Sequence, residues 1–130
     1  MANQQQFNIA VSIHAQSGGS VEGDAVDLQG TIHPGGRNIK AFVNVTNVGG
    51  DADEVLDIVV EEAPDNNGQP GEWTPIPGAA FDQFDVNASG STAELHFVTN
   101  QRFVRLVSTA SGETPVFAQA GGFLLERRLA

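Results

Sequence analysis

Cysteine is absent from the 130 residues, tyrosine is absent as well, and tryptophan occurs once. Without thiols there is no disulfide framework, no thiolate metal site and no cysteine nucleophile, and the redox compartment stays open. Basic residues are scarce: six Lys and Arg against sixteen Asp and Glu give 6 − 16 = −10. Such a surface repels a phosphate backbone, so no nucleic acid is expected as a partner. Like charge also favours solubility and opposes premature self-association. No apolar run approaches the length of a membrane span, and "MANQQQFNIA" lacks the basic region and apolar core of a secretory signal. The chain is therefore expected to be made, and to stay soluble, in the cytosol, with no membrane partner.

A mass of 13.6 kDa corresponds to roughly 6,600 Å² of folded surface against roughly 20,000 Å² unfolded. About two-thirds of the surface is then buried, enough for one core without staples.

Period-two alternation recurs along most of the chain and marks strands. Phe7, Ile9, Val11 and Ile13 share one face, opposite Asn8, Ala10 and Ser12. Ile39, Ala41, Val43 and Val45 alternate with Lys40, Asn44 and Thr46, while Phe42 places a large ring on the polar side. That second face is expected to be covered. Leu56, Ile58 and Val60 alternate with Asp57 and Glu61, and Ala93, Leu95 and Phe97 with Thr92, Glu94 and His96. "RFVRLVSTA" sets Phe103 and Val107 against Val104 and Leu106, apolar on both faces, as a central strand requires. In the last run, residues 116–125, Gly121 and Gly122 predict a bulge or bend.

Turn chemistry separates these runs at short intervals: "SGG", "HPGG", "VGGD", "DNNG", "ASG" and "ASGE". No segment carries a helical stripe with caps. The pattern predicts an all-β, single-domain antiparallel β-sandwich or jelly roll. Residues 1–6 read as a polar arm, 7–125 as the sandwich and 126–130 as a tail in which Arg127 and Arg128 adjoin apolar leucines. Ends of this kind either fray or dock on a partner. Gln4, Gln5, Phe7, Arg127, Arg128 and Leu129 are accordingly the candidate partner-interface residues.

Catalytic constellations do not emerge. The three histidines, His14, His33 and His96, are far apart and form no paired metal motif. "DADEVLD" gathers Asp51, Asp53, Glu54 and Asp57, and carboxylates suit calcium, although the spacing misses the EF-hand loop. "DNNG" at Asp65 begins like a calcium loop and lacks its closing glutamate, so a β-turn is the simpler reading. No G-x-S-x-G elbow or phosphate-binding glycine loop is present. No catalytic residue, cofactor or metal ligand is assigned, a weak calcium site near residues 51–57 stays open, and the chain is not expected to be an enzyme. Trp73, after a glycine turn and before "TPIPG", is read as a plug closing the sandwich core in preference to a sugar platform.

Beyond these local readings, an ordered set of features covers about two-thirds of the chain, from Phe42 to Phe123. "VNVTNVGG" precedes "LDIVVEEAPDNNGQPGEWTPIPGAAF", and an alternating strand leads to "QRFVRLVSTASGETPVF". This series resembles small structural proteins of tailed bacteriophages and prophages, matching at Pro64, Asp65, Trp73, Thr74, Gly78, Ala79, Phe81, Phe103, Val104, Arg105, Gly112 and Pro115. It departs from them in a longer turn, "NNGQPGE". The resemblance implies a virion component, read as a capsid decoration or cement protein that is made in the host cytoplasm and binds the outer surface of the major capsid protein shell. It also favours a homo-oligomer, with a trimer at a local three-fold axis as the expected form. A tail or head–tail connector protein is the alternative within virions, and a carbohydrate-binding or adhesive β-module the alternative outside them.

Overall fold

A computed structural model of the chain describes residues 4–6, 14–16, 19–28, 37–49, 52–113 and 115–126. Thirteen strands occur among them and no helix. In chain order they are β1 (Gln4–Gln6), β2 (His14–Gln16), β3 (Gly19–Glu22), β4 (Val26–Asp27), β5 (Arg37–Gly49) and β6 (Val55–Ala63). There follow β7 (Asp65–Asn66), β8 (Gln69–Pro70), β9 (Thr74–Ala80), β10 (Phe84–Asp85), β11 (Ser91–Thr99), β12 (Phe103–Ser111) and β13 (Val116–Glu126). The all-β reading holds.

Two antiparallel sheets make the sandwich. In the first, β13 and β5 are central, β11 forms one edge, and the short strands β1 and β2 share the other edge along β13. In the second, β6 and β12 are central, with β9 and β10 on the β6 side and β3 and β4 on the β12 side. Strands adjacent in a sheet are mostly distant in sequence, so the fold depends on long-range pairing rather than on a chain of hairpins.

Alternation decides which side chains enter the core. Ile39, Ala41, Val43 and Val45 of β5 face Leu56, Ile58 and Val60 of β6 across the sandwich, joined by Val104, Leu106, Phe117 and Phe123. Each fully buried Val, Leu, Ile or Phe contributes about 1.5–3 kcal/mol of transfer free energy, so these positions dominate stability. Phe97 and Phe123 meet edge to face, ring centroids 6.1 Å apart. The β12 segment is central, as its two apolar faces required.

Two local expectations change. The irregularity in β13 lies at Val116/Phe117, not at the glycine pair. Gly121 instead faces the core where a side chain has no room: a Cβ there would stand 2.7 Å from the Phe42 carbonyl oxygen and 2.9 Å from both Leu106 Cδ1 and Val43 Cγ1. Phe42, on the outer face of the first sheet, is registered opposite Gly122 and is half-buried, while Gly122 is buried. The ring and the glycine form the kind of cross-strand pair in which an aromatic covers a bare backbone.

"DNNG" forms the β7–β8 hairpin. Asn67 (φ 55°) and Gly68 (φ 86°) take the two left-handed positions of a primed turn, and the Gly68 amide donates to Asp65 Oδ1 at 2.8 Å. A turn accounts for that stretch without a cation.

Candidate functional site

Gln4 and Gln5 lie in β1, where they pair with Glu126 and Leu125 of β13. The polar start of the chain thus runs along the strand that leads to the basic tail, and two of the candidate interface residues lie beside the strand that precedes the others. Phe7, Arg127, Arg128 and Leu129 lie outside the described residues, as does His33.

Trp73 does not plug the core. It is half-buried, and its ring lies over the guanidinium of Arg105, 4.3 Å from Arg105 Cζ to the ring centroid. Val104 and Leu106 point inward, so Arg105 between them rises from the outer face of the second sheet. There it is registered opposite Glu61 and donates from Nε to Glu61 Oε1 at 2.9 Å, while Nη2 reaches Glu22 Oε2 at 3.3 Å. The arginine is sandwiched between carboxylates at its rim and an indole on its face, leaving its side chain only 17% exposed. From sequence an indole next to "TPIPG" reads as a core plug; the partner that holds it outside, Arg105, lies on a distant strand.

A second arginine clamps the end of the sandwich. Arg102 grips Asp27 with two hydrogen bonds of 2.8 Å, from Nε and Nη2, and its Nη1 approaches Asp65 Oδ1 at 3.3 Å. The Asp27 hydrogen bonds raise the Arg102 pKa above its already high ordinary value, against the opposing effect of burial. The positive charge is therefore fixed at every pH at which the fold exists, and it ties the β4 end to the β7–β8 hairpin.

The acidic stretch after β5 divides instead of converging. Glu54 is fully buried and accepts a hydrogen bond from Asn47 Nδ2 at 2.9 Å, whereas Asp57 faces outward and accepts from Gln83 Nε2 at 3.1 and 3.2 Å. Asp53 is exposed, and Asp51 lies outside the described residues. Among the described residues no three His, Cys, Asp or Glu side chains gather as a metal site would require. His96 projects from the outer face of β11, and His14 lies in β2.

Buried polar contacts join the two sheets: Thr99 of β11 donates to Glu62 Oε1 of β6 at 2.6 Å, and a serine and a glutamine meet between β12 and β13. Ser108 of β12 donates to Gln119 Oε1 of β13 at 2.5 Å, with Ser108 only 6% exposed. Nothing in the alternation pattern singled out this pair, because serine and glutamine at inward positions look like breaks in the apolar face.

No family model matches the chain, and no curated protein is similar to it at a significant level. Among solved structures it is similar to a chain in the structure of infectious bursal disease virus Gx strain, at 9% identity and a TM-score of 0.57, with 97% of this chain covered. The chain spans about a third of that viral chain, 32% of its length. It is also similar to the CBM22-1 xylan-binding domain from Paenibacillus barcinonensis Xyn10C, at 13% identity and a TM-score of 0.47, covering 98% of this chain and 88% of that one. A chain of the cowpea mosaic virus top component, naturally occurring empty particles, aligns at 11% identity and a TM-score of 0.30 over 88% of this chain and 61% of that one. At such identities likeness speaks to fold alone, and the first match shows a fold shared with part of that chain.

Proposed function

We propose that this chain is a structural component of a virion, a capsid decoration or cement protein that binds the outer surface of a shell of major capsid protein and stabilises it without catalysis. The observation that carries the reading is the ordered run from Phe42 to Phe123, which resembles small phage structural proteins and occupies both sheets of one continuous sandwich. A fold shared with part of a chain in a virus structure is compatible with that role, although fold alone does not fix function. The side-chain chemistry supports it as well. The arginines seen with partners are spent in structural ion pairs, Arg102 with Asp27 and Asp65 and Arg105 with Glu61 and Glu22, not arranged around a substrate. A net charge of −10 weakens contacts between free copies, whereas a lattice supplies many weak contacts at once. A homo-oligomer, with the trimer as its expected form, belongs to the same proposal.

Copy number tests it. Particles purified on a density gradient from the cells that make the chain would be digested and the chain quantified against the major shell subunit. Hundreds of copies per particle support decoration; a few copies move the chain to the tail or connector; recovery only among free proteins removes it from the virion.

The position of Trp73 favours a second reading. An indole on an outer sheet face, flanked by Glu61 and Glu22 through Arg105, is better placed to meet a sugar than a core plug would be. Titration of the chain with soluble plant and bacterial polysaccharides, followed by tryptophan emission, tests it; no change across the series dismisses the adhesive module.

A further inference from the structure

The four sheet edges are not alike. Beside β13 the edge is divided between two three-residue strands, β1 and β2, and beside β12 between β3 and β4 with Gly23 following β3. Beside β6 it is divided between the two-residue β10 and β9, and in β9 the register shifts, Gly78 takes φ +79°, and Pro75 and Pro77 have no N–H to donate. Short strands, prolines and irregular register are the devices by which proteins block strand addition. The remaining edge, β11, has none of them. Its nine residues, Ser91 to Thr99, contain no proline or glycine, pair with β5 in unbroken register, and have no second strand partner among the described residues.

The side chains show the same open flank. On β5 the inward residues Ile39, Ala41 and Val45 are wholly buried, whereas Ala93 and Leu95, inward on β11, pack against the core and stay partly exposed. A strand laid alongside would complete their burial.

We propose that β11 is a self-association edge, on which a second copy of this chain adds its own β11 antiparallel about a two-fold axis at Leu95. The sequence of the strand is complementary to its own reverse. With Leu95 opposite Leu95, the inward pairs are Ala93 with Phe97, small against large, and at the strand ends Ser91 with Thr99, whose buried hydroxyl stays bonded to Glu62 of its own copy at 2.6 Å. The outward pairs are Glu94, which within its own copy is ion-paired with Lys40 at 3.4 Å, against His96, carboxylate facing imidazole, and Thr92 with Val98, which is 52% exposed in the single copy. The pairs from Thr92 to Val98 are of kinds that favour antiparallel neighbours. A slip of one residue would set inward residues against outward ones, and a slip of two would set Glu94 against Glu94 or His96 against His96 and lose the carboxylate–imidazole pairs, so faces and charge together select this register. The axis stands perpendicular to the sheet, inner faces stay on one side, and the first sheets of two copies become one continuous sheet closed by an isologous contact. The proposal is independent of the virion reading, and its two-fold contact differs from the three-fold assembly expected there.

Because the chain has no cysteine, single cysteines report the register directly. Glu94→Cys and His96→Cys sit on the exposed face and leave the core untouched. Directly opposite residues lie at about 4.5–5.5 Å between Cα atoms and meet the reach of a disulfide, whereas diagonal neighbours at about 7–8 Å do not. Oxidation of the two variants mixed together is expected to give a disulfide dimer, and of either variant alone to leave most chains monomeric. In sedimentation equilibrium of the full chain up to roughly 1 mM, the weak end of specific association, a monomer–dimer equilibrium is expected. Glu94→Lys is expected to weaken it by about tenfold or more, since the change occurs twice across the axis. The swap Glu94→Lys with His96→Glu restores it. A monomer throughout that range, a trimer, or cross-linking that is equal in all three cysteine mixtures would each overturn the proposal.

Discussion

The guanidinium of Arg105 and the ring of Trp73 stack 4.3 Å apart on the outer face of the second sheet, with Glu61 hydrogen-bonded to the arginine from the neighbouring strand. The arginine is thereby held by a cross-strand carboxylate and a cation–π contact together, and each restricts the rotamers the other must select. A double-mutant cycle between Trp73→Leu and Arg105→Met is expected to give a coupling of about 0.5–2 kcal/mol in urea unfolding. Additive losses would mean that the two residues act independently. The indole should also be reached by iodide to an intermediate degree, between free tryptophan and a core residue.

Ser108 and Gln119 form a second relationship that stability should report. Ser108→Ala removes a donor from an amide oxygen held between the sheets, and such a loss costs about 1–3 kcal/mol. Ser108→Ala combined with Gln119→Leu is expected to recover part of that cost, because the polar partner leaves with the hydroxyl. Urea midpoints of the two single variants and the double variant measure it.

Gly121 is expected to reject even a methyl group. Gly121→Ala drives a Cβ into the Phe42 carbonyl and two core side chains, overpacking that costs about 1–3 kcal/mol or more. The melting temperature should fall by roughly 3–5 °C for each kcal/mol in a chain of this size. Gly19→Ala meets no neighbouring atom but sits at φ +70°, so its cost should come from the backbone alone, about 1–2 kcal/mol.

Glu54 is expected to behave as a structural carboxylate. Glu54→Ala leaves Asn47 Nδ2 without this acceptor and opens space at a fully buried position, a loss of about 2–4 kcal/mol. Millimolar calcium should leave the melting temperature of the unaltered chain unchanged. A rise would restore the calcium reading of "DADEVLD", which the opposed directions of Glu54 and Asp57 now disfavour.

Legibility in the sequence followed burial. Where one face is fully dry, as at Ile39, Ala41, Val43 and Val45 or at Leu56, Ile58 and Val60, period-two alternation names the core residues correctly, since a one-residue error would invert every side chain. The inverse case is Trp73: its ring is large and apolar, hydrophobicity alone assigns it to the core, and the cation that holds it outside comes from a distant strand. Glu54 was hidden in the same manner, an acid among acids whose burial depends on Asn47 across a turn. Gly121 answers to close packing and not to a bulge, and a glycine demanded by either is identical in sequence. The candidate interface was legible only as two chemically unusual ends. That Gln4 and Gln5 run beside Leu125 and Glu126 follows from strand pairing over some 120 residues, which no local pattern encodes.

The most direct measurement is electron cryo-microscopy of particles from cells expressing the intact chain and from cells in which its gene is deleted. The account predicts difference density on the outer surface of the shell, repeated at symmetry-equivalent lattice sites and fitted by the two-sheet sandwich. Identical shells in the two preparations, with the chain recovered in neither, would contradict it.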